Sequence, residues 1–577
     1  MGIQTNGSFK MTTDTYIDII AHLDAMTFEQ RPAPEWHFPA DDARLSLSTL
    51  RRRSRRYAQI LRRQGVAAGD RVALVLQTGP DYVALLLAIW RLNAIAVSLA
   101  LKPRRPTDSI AHLQRVTRAC RFKLLVHGNE WPAAADAMLA GYGCRTLDVK
   151  QFSDNTADHA PLAPASRVAT DIAVLQLSSG STGDPKAVIV THGMIHAQLA
   201  GIHANHRHGC RVDSVLSTAS WLPLNHDMGL FIGVLYPMFV ASTHLLAPPA
   251  YYMRNPARWF AMMAAARVDF TFTTNSVLAT SLNALTRLDA GSVDLSALHL
   301  YVAAEKVSAT VLREALRALA PFGMTVESFR VGYGMAENAL GCTATHRRTV
   351  SSHHFVIEDN DRIRVAALPS VNSNELVAVG EAYFDQEVTV CDQAGNALPE
   401  RVLGEICVAG PCLTRGYYRN PEATVRTLAD NRLRTGDLGF FYDGELYFYA
   451  RKDDLIISGG RNIVPDDVEH AVEKLDGVRL ACACLFAVEG ARGVTELVLL
   501  VEPRHAGPAG LPALRKTIHA EVFQAEGVLV HQVVLCAKRT VEKTTSGKKR
   551  RRVLRERYLA GQLHILGEED NVRQAVV

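Results

Sequence analysis

The sequence predicts an α/β protein built on a mainly parallel sheet covered by helices. Three observations predict it. Short apolar runs at 71–76 and 94–99 flank an apolar stretch at 81–92 that is too long for a strand, which reads as strand, buried helix, strand. A second round of the same alternation runs from Ile110 through 124–126 to Met138. A third apolar run, 172–177, leads into a loop dense in glycine and hydroxyls. Such β-α-β alternation is the mark of a parallel sheet with helical crossovers.

Composition narrows the class. The 577 residues suggest ~3 to 4 units of ordinary domain size. The net charge of +5 is spread along the chain, with no RNA or DNA module visible, so nucleic acid is excluded as the expected partner. Two stretches, 83–101 and 230–248, could pass for membrane spans. The first carries Arg91 and Asn93 and the second Pro237, Ser242 and His244, so neither is clean over the ~20 residues a span needs. Both are expected to be buried, with no stable membrane insertion. Residues 1–10 have no apolar signal-peptide core, and Asn6 breaks a myristoylation pattern. The ten cysteines are scattered without metal-ligand spacing, which points to reduced thiols and a cytoplasmic protein.

In chain order, 47–64 has helical spacing, Gly69-Asp70 turns into the 71–76 strand, and 155–167 is a polar connection. Then comes Ser178-Ser179-Gly180-Ser181-Thr182-Gly183-Asp184-Pro185-Lys186, with an apolar run resuming at 187–190. Glycines let main-chain N–H groups turn toward one anion, while the hydroxyls and Lys186 add donors and charge. This is a polyphosphate cradle, though without the spacing of a Walker A loop. It resembles the phosphate loop of the adenylate-forming superfamily, which holds acyl-CoA synthetases, peptide-synthetase adenylation domains and fatty acyl-AMP ligases. That pattern usually ends Lys-Gly; here Ala187 follows Lys186.

The later motifs follow the same order as in that superfamily. A helix is read over 192–203. Trp221-Leu222-Pro223-Leu224-Asn225-His226-Asp227-Met228-Gly229 resembles the acyl-pocket segment of the fatty acyl-AMP ligases. The resemblance puts His226 at the pocket mouth, near the carboxylate, with Trp221, Met228 and Gly229 in the pocket. Ala303-Ala304-Glu305-Lys306-Val307 resembles the adenine-contacting turn often written Gly-Ala-Glu-Pro, which gives Ala304 and Glu305 to the nucleotide. In Val331-Gly332-Tyr333-Gly334-Met335-Ala336-Glu337, a ring can stack on adenine, glycines permit close approach, and Glu337 can hold Mg²⁺ against the phosphates. Asn338 is unusual there and is expected to face the acid. Residues 343–377 are too polar to form a core by themselves and resemble, in position, the insertion that separates acyl-AMP ligases from acyl-CoA ligases. That insertion is thought to impede the arrangement used for CoA transfer.

Asp437, in Arg434-Thr435-Gly436-Asp437-Leu438, can accept from two vicinal ribose hydroxyls. By resemblance it takes that role, Arg451 also reaches the ribose, and Asp453 is the hinge. Gly460-Arg461-Asn462-Ile463-Val464-Pro465-Asp466-Asp467 again favours the acyl-AMP ligase branch. Asp466 or Asp467 suits the start of the helix that follows. Ser546-Gly547-Lys548 matches the final motif, so Lys548, not Lys543, is the expected catalytic lysine.

The resemblance implies a large multi-layer N-terminal domain, 1–451, with the insertion at 343–377, and a small mobile α+β lid, 452–577. It implies ATP-dependent activation of a carboxylic acid, fatty or fatty-like, to acyl-AMP with release of pyrophosphate. The acyl group then passes to the phosphopantetheine thiol of a separate acyl carrier protein. ATP and Mg²⁺ are the expected cofactors, and lipid or natural-product biosynthesis is the expected setting. The nearest alternative is an acyl-CoA synthetase. A catalytically dead nucleotide binder is opposed by the joint presence of Lys186, Glu337, Asp437 and Lys548.

Overall fold

The computed structural model describes residues 16–566 except 28–33, 102–105, 130, 133, 153–164, 180–184, 211–216, 290, 292, 346–348, 359, 369–372, 384, 459–460, 491–494, 505–506, 508–509, 527 and 544–548. At 106–108, 179, 207–210, 457–458, 461–462 and 526 only the backbone is described.

The first alternation folds as read. Arg71–Val75 and Ile95–Ser98 pair in parallel, and the helix Pro80–Arg91 between them is buried from Tyr82 onward. Proline in its first turn needs no N–H partner there, and apolar residues on every side leave the helix nothing to show to water. The sheet runs in space as Arg145–Asp148, Leu124–His127, Arg71–Val75, Ile95–Ser98, Ile172–Ser179 and Pro185–Thr191. Every neighbouring pair is parallel except the last, a hairpin. The helix Leu47–Arg63 packs on Pro80–Arg91 and buries Leu50, Tyr57 and Leu61, at helical spacing. Ser46 caps it, accepting from Thr49 N at 3.2 Å. Upstream of it, Ile19–Ala25 is a short helix and Glu35–Phe38 and Ala43–Ser46 are strands, three elements too short for the sequence pattern to reveal.

A larger sheet joins two kinds of pairing. Its parallel part is Phe329–Gly334, His299–Val302, Phe270–Thr273, Ser217–Ser220, Thr243–Leu246 and Glu35–Phe38 in spatial order. From Phe329–Gly334 it continues antiparallel through Gly341–Ala344, Asn374–Ala382, Glu445–Arg451, Arg432–Tyr442, Gly404–Ala409 and Glu387–Cys391. The helix read over 192–203 extends over His192–Cys210. The two apolar stretches resolve into a buried helix with a strand, and a broken helix with a strand. Among the described residues no helix is long and apolar enough to cross a membrane.

The stretch read as an insertion is seated on the large sheet. Ser352–Ile357 pairs antiparallel with both Ile363–Val365 and Asn374–Ala382, so it is ordered sheet. Its apolar residues are buried in a cluster shared with the neighbouring strands. Phe355 is fully buried, with its ring centre 4.9 Å from those of both Phe440 and Tyr447. Alternation supplies the reason: a few inward-facing apolar residues, Phe355, Ile363 and Leu376, suffice when a neighbouring sheet offers aromatic rings.

After Arg451 the chain builds on Val478–Glu489 and Thr495–Pro503, antiparallel, with Gln532–Leu535 parallel to the second. Two apolar clusters fill its faces, and both draw only on residues 456–566. Nine cysteines with described side chains are buried free thiols.

Candidate active site

The carboxyl ends of the parallel strands open on one cleft of about 1350 Å³. Ser178, Asn225, Ala304, Tyr333, Asp437 and Arg451 line it from one side, and Asp467, Lys543 and Lys549 from the other.

Asp437 sits in the strand Arg432–Tyr442, directly across the ladder from Arg451. Gly436 before it takes a φ of +72°, a left-handed turn suited to glycine. Thr435 Oγ1 then accepts from Asp437 N at 3.0 Å. The Tyr333 hydroxyl donates to Asp437 Oδ2 at 2.8 Å, and Arg451 Nε lies 3.2 Å from Oδ1. Burial, followed by the Asp437 charge, holds the Tyr333 phenol well above the ordinary tyrosine range, so it stays a neutral donor. One face of the Tyr333 ring lies along Phe448, with centres 6.0 Å apart.

The phosphate motif is more strand-like than its composition suggests. Ser178 pairs with Lys186 and Ser179 with Pro185. The hairpin tip, with Gly180, Ser181, Thr182 and Gly183, lies outside the described residues. Ala187 buries its methyl among apolar neighbours, which accounts for a side chain where the resemblance has glycine. The Lys186 ammonium stands 5.0 Å from the centre of the Tyr417 ring. The Tyr417 hydroxyl donates to Glu337 Oε1 at 2.8 Å. Burial, then the Glu337 charge, raises this phenol as well, so it remains protonated. Glu337 lies in the short turn Ala336–Asn338, whose backbone is tied by Thr414 N donating to Glu337 O at 2.8 Å. Met335 precedes that turn in extended conformation.

His226 precedes the helical turn Asp227–Leu230, with Nδ1 2.6 Å from Asp227 Oδ1. Two distant side chains fix this loop: Gln176 Nε2 donates to Asn225 O at 2.8 Å and the Tyr82 hydroxyl to Leu224 O at 3.1 Å. A Cβ at Gly229 would collide with the Pro223 carbonyl, so only glycine fits. Met228 is buried, and Trp221 stacks on Tyr252 with centres 4.4 Å apart. Asn338 is fully buried. Its Nδ2 donates to Gly341 O at 2.8 Å, while Oδ1 has no hydrogen-bond partner among the described residues. Ala304 takes a φ of +72°, and Glu305 Oε2 accepts from Ser276 N at 2.8 Å.

Asp453 is exposed in the turn after Arg451. Beyond it, Lys549 Nζ bonds Glu469 Oε2 at 2.7 Å and Glu473 Oε1 at 2.8 Å. Burial would lower this ammonium, but the two carboxylates outweigh it and hold Lys549 above the ordinary lysine range. Arg551 pairs with Glu469 and, at 3.0 Å, with Asp466. Asp466 and Asp467 both fall in the first turn of the helix Pro465–Glu473. Lys543 and Lys549 face each other as an isolated antiparallel bridge. Lys548, and the side chains of Arg461 and Asn462, lie outside the described residues.

Tyr82 carries no signal in the sequence, and Lys306 shows there only as a departure from the Gly-Ala-Glu-Pro pattern. Tyr417 stands in the recognisable stretch Gly416-Tyr417-Tyr418, but its partner Glu337 is 80 residues away and no local pattern links the two.

An AMP-binding enzyme family model matches residues 23–418. The chain is 30% identical over 531 residues to the 4-hydroxyphenylalkanoate adenylyltransferase of Mycobacterium marinum, covering 88% of this chain and 84% of the relative. It is 27% identical to the long-chain-fatty-acid–AMP ligase FadD26 of Mycobacterium tuberculosis, covering 85% and 87%. A solved structure from a study of fatty acyl-adenylate ligases of E. coli and L. pneumophila superposes with a TM-score of 0.84 at 26% identity, over 95% of this chain and 98% of that one. With the family model spanning most of the sequence and the fold shared end to end, the chain belongs to the AMP-binding enzyme family.

Proposed function

We propose that this protein is a fatty acyl-AMP ligase. It joins a fatty or fatty-like acid to AMP and then passes the acyl group to the phosphopantetheine thiol of an acyl carrier protein. The observation that carries this reading is the convergence, on one cleft, of Ser178, Tyr333, Asp437 and Arg451 with the lid residues Lys543 and Lys549. The names of the relatives, a hydroxyphenylalkanoate adenylyltransferase and a long-chain-fatty-acid–AMP ligase, support an acid with an extended hydrocarbon part.

In the first step a carboxylate oxygen attacks the α-phosphorus of ATP. The bond from that phosphorus to the bridging oxygen breaks, and pyrophosphate leaves with its electron pair. The barrier is mostly charge, since an anion must approach a polyanion. Lys186, the hairpin hydroxyls and Lys548 are the donors assigned to offset it. Asp437 and Arg451 hold the ribose, Tyr333 and the 303–305 turn hold adenine, and His226 stands by the carboxylate. No side chain need act as nucleophile. Glu337 fits a Mg²⁺ site: its carboxylate is a hard oxygen ligand whose plane is set by Tyr417. Mg²⁺ bound there would neutralise phosphate charge. In the second step the thiol sulfur attacks the acyl carbon and AMP departs.

Residues 1–451 are assigned to activation and 452–577 to a lid turning about Asp453. Support comes from the two apolar clusters confined to 456–566. The Phe355-anchored insertion, whose cluster includes Val464 from the lid, supports a carrier protein over CoA as acceptor. A cytoplasmic location fits the buried free thiols.

Pyrophosphate release with a panel of acids, followed by CoA or a holo carrier protein as acceptor, tests the reading. Release with an acid and transfer to the carrier is the expected result. Lys548→Ala should cut release by orders of magnitude with the fold intact, and near-normal release would refute the lysine assignment.

A further inference from the structure

The nucleotide turn at 303–307 carries Lys306 where the resemblance has proline. Its ammonium meets Asp467 Oδ1 at 2.7 Å. Asp467 lies on the helix Pro465–Glu473, beyond the hinge. Both side chains are largely covered, at 15% and 24% exposure. One helical turn further along the same lid helix, His470 Nε2 lies 3.2 Å from Ser308 Oγ. Ser308 also caps the helix Ala309–Leu319. Two contacts therefore tie one face of the lid helix to the loop that bears Ala304 and Glu305. The loop gives little, because Glu305 is already held by Ser276 N. The same lid helix presents Glu469 and Glu473 to Lys549, which faces Lys543 at the foot of the segment that contains Lys548. One helix, Pro465–Glu473, thus carries both the contacts to the nucleotide turn and those to Lys549.

We propose that Lys306 is a positioning residue: through Asp467 it docks the lid helix on the nucleotide turn for the first half-reaction. A mostly covered ion pair is weakly screened, and loss of one partner leaves the other charge uncompensated. Turning the lid for acyl transfer must break the pair, so the contact favours adenylate formation over transfer. This inference rests on the activation reading above.

The test compares wild type, Lys306→Met, Lys306→Arg, Lys306→Asp, Asp467→Lys and the double swap Lys306→Asp/Asp467→Lys. Pyrophosphate release is measured with dodecanoate and with 3-(4-hydroxyphenyl)propanoate. Trypsin cleavage after Arg451 and Lys452 reads lid docking without any chemistry. Lys306→Met is expected to slow release about fivefold to tenfold, with the KM for ATP moving less than about twofold. It should also speed hinge cleavage about threefold or more. Lys306→Arg should stay near wild type, and the double swap should recover most of what either single change loses. Wild-type release and unaltered cleavage in Lys306→Met, or a swap no better than the singles, overturns the proposal. Wild type that releases no pyrophosphate, while cleavage still answers to Lys306→Met and to the swap, overturns the activation reading and leaves the docking contact standing.

Discussion

The Tyr417 hydroxyl donates to Glu337 Oε1 across 2.8 Å, and the Lys186 ammonium stands 5.0 Å from the centre of the same ring. One tyrosine thus separates the cation of the phosphate hairpin from the carboxylate assigned to the metal, and touches both.

Tyr417→Phe keeps the ring and removes the donor. A hydrogen bond to a charged group is worth ~1.5–3 kcal/mol, so Glu337 should be held less firmly and the Mg²⁺ concentration for half-maximal pyrophosphate release should rise about tenfold. A magnesium titration of the variant checks this, and an unchanged midpoint contradicts it.

Asp437→Ala should act on the nucleotide. It takes away the acceptor shared by Tyr333 and Arg451 and leaves Arg451 without its counter-charge. The KM for ATP should climb about tenfold or more, with far less change in the KM for the acid. Steady-state kinetics with each substrate varied in turn distinguishes the two.

Stability should fall in mild acid. Burial pushes His192 down to about 4, and His206 and His244 down to about 3. In the unfolded chain they titrate near the ordinary histidine value, so below ~6.5 the unfolded state binds more protons and folding weakens. Stability is therefore full above ~6.5 and is lost as pH falls toward the depressed folded values, at ~1–2 kcal/mol per histidine by pH 5. Urea midpoints at pH 7.5 and 5.0 measure it, and equal midpoints would contradict the assignment.

Phe355→Ala should cost ~3–5 kcal/mol if the insertion is as firmly seated as its ring contacts indicate. Chemical denaturation reads the loss. A change under ~1 kcal/mol would mean that the hairpin contributes little to the fold.

The sequence disclosed most where chemistry demands particular residues close together in the chain. Tyr333, Glu337, Asp437 and Arg451 could be picked out because each stands in a short motif, and the structure brings Tyr333, Asp437 and Arg451 into contact. The strand–helix–strand unit around Pro80–Arg91 was equally plain, since burial on all sides leaves an unbroken apolar run. What stayed hidden depends on pairing across long stretches of chain. Phe355 sits in a polar segment and reads as a stray aromatic until Phe440 and Tyr447 close over it. Lys306 reads as a deviation from a motif until Asp467, 161 residues on, supplies its reason. Tyr82 gives no hint that it braces Leu224.

Asp437 and Arg451 are opposite rungs of one ladder, and the next residue, Lys452, donates its N–H to Gly436 O at 2.8 Å. The residues proposed as ribose anchor and as swivel are therefore held by the same few hydrogen bonds. On the function proposed above, a twist applied at the swivel would be felt at once where the sugar is gripped, so the lid's return stroke and the loosening of spent AMP would be two readings of a single mechanical event.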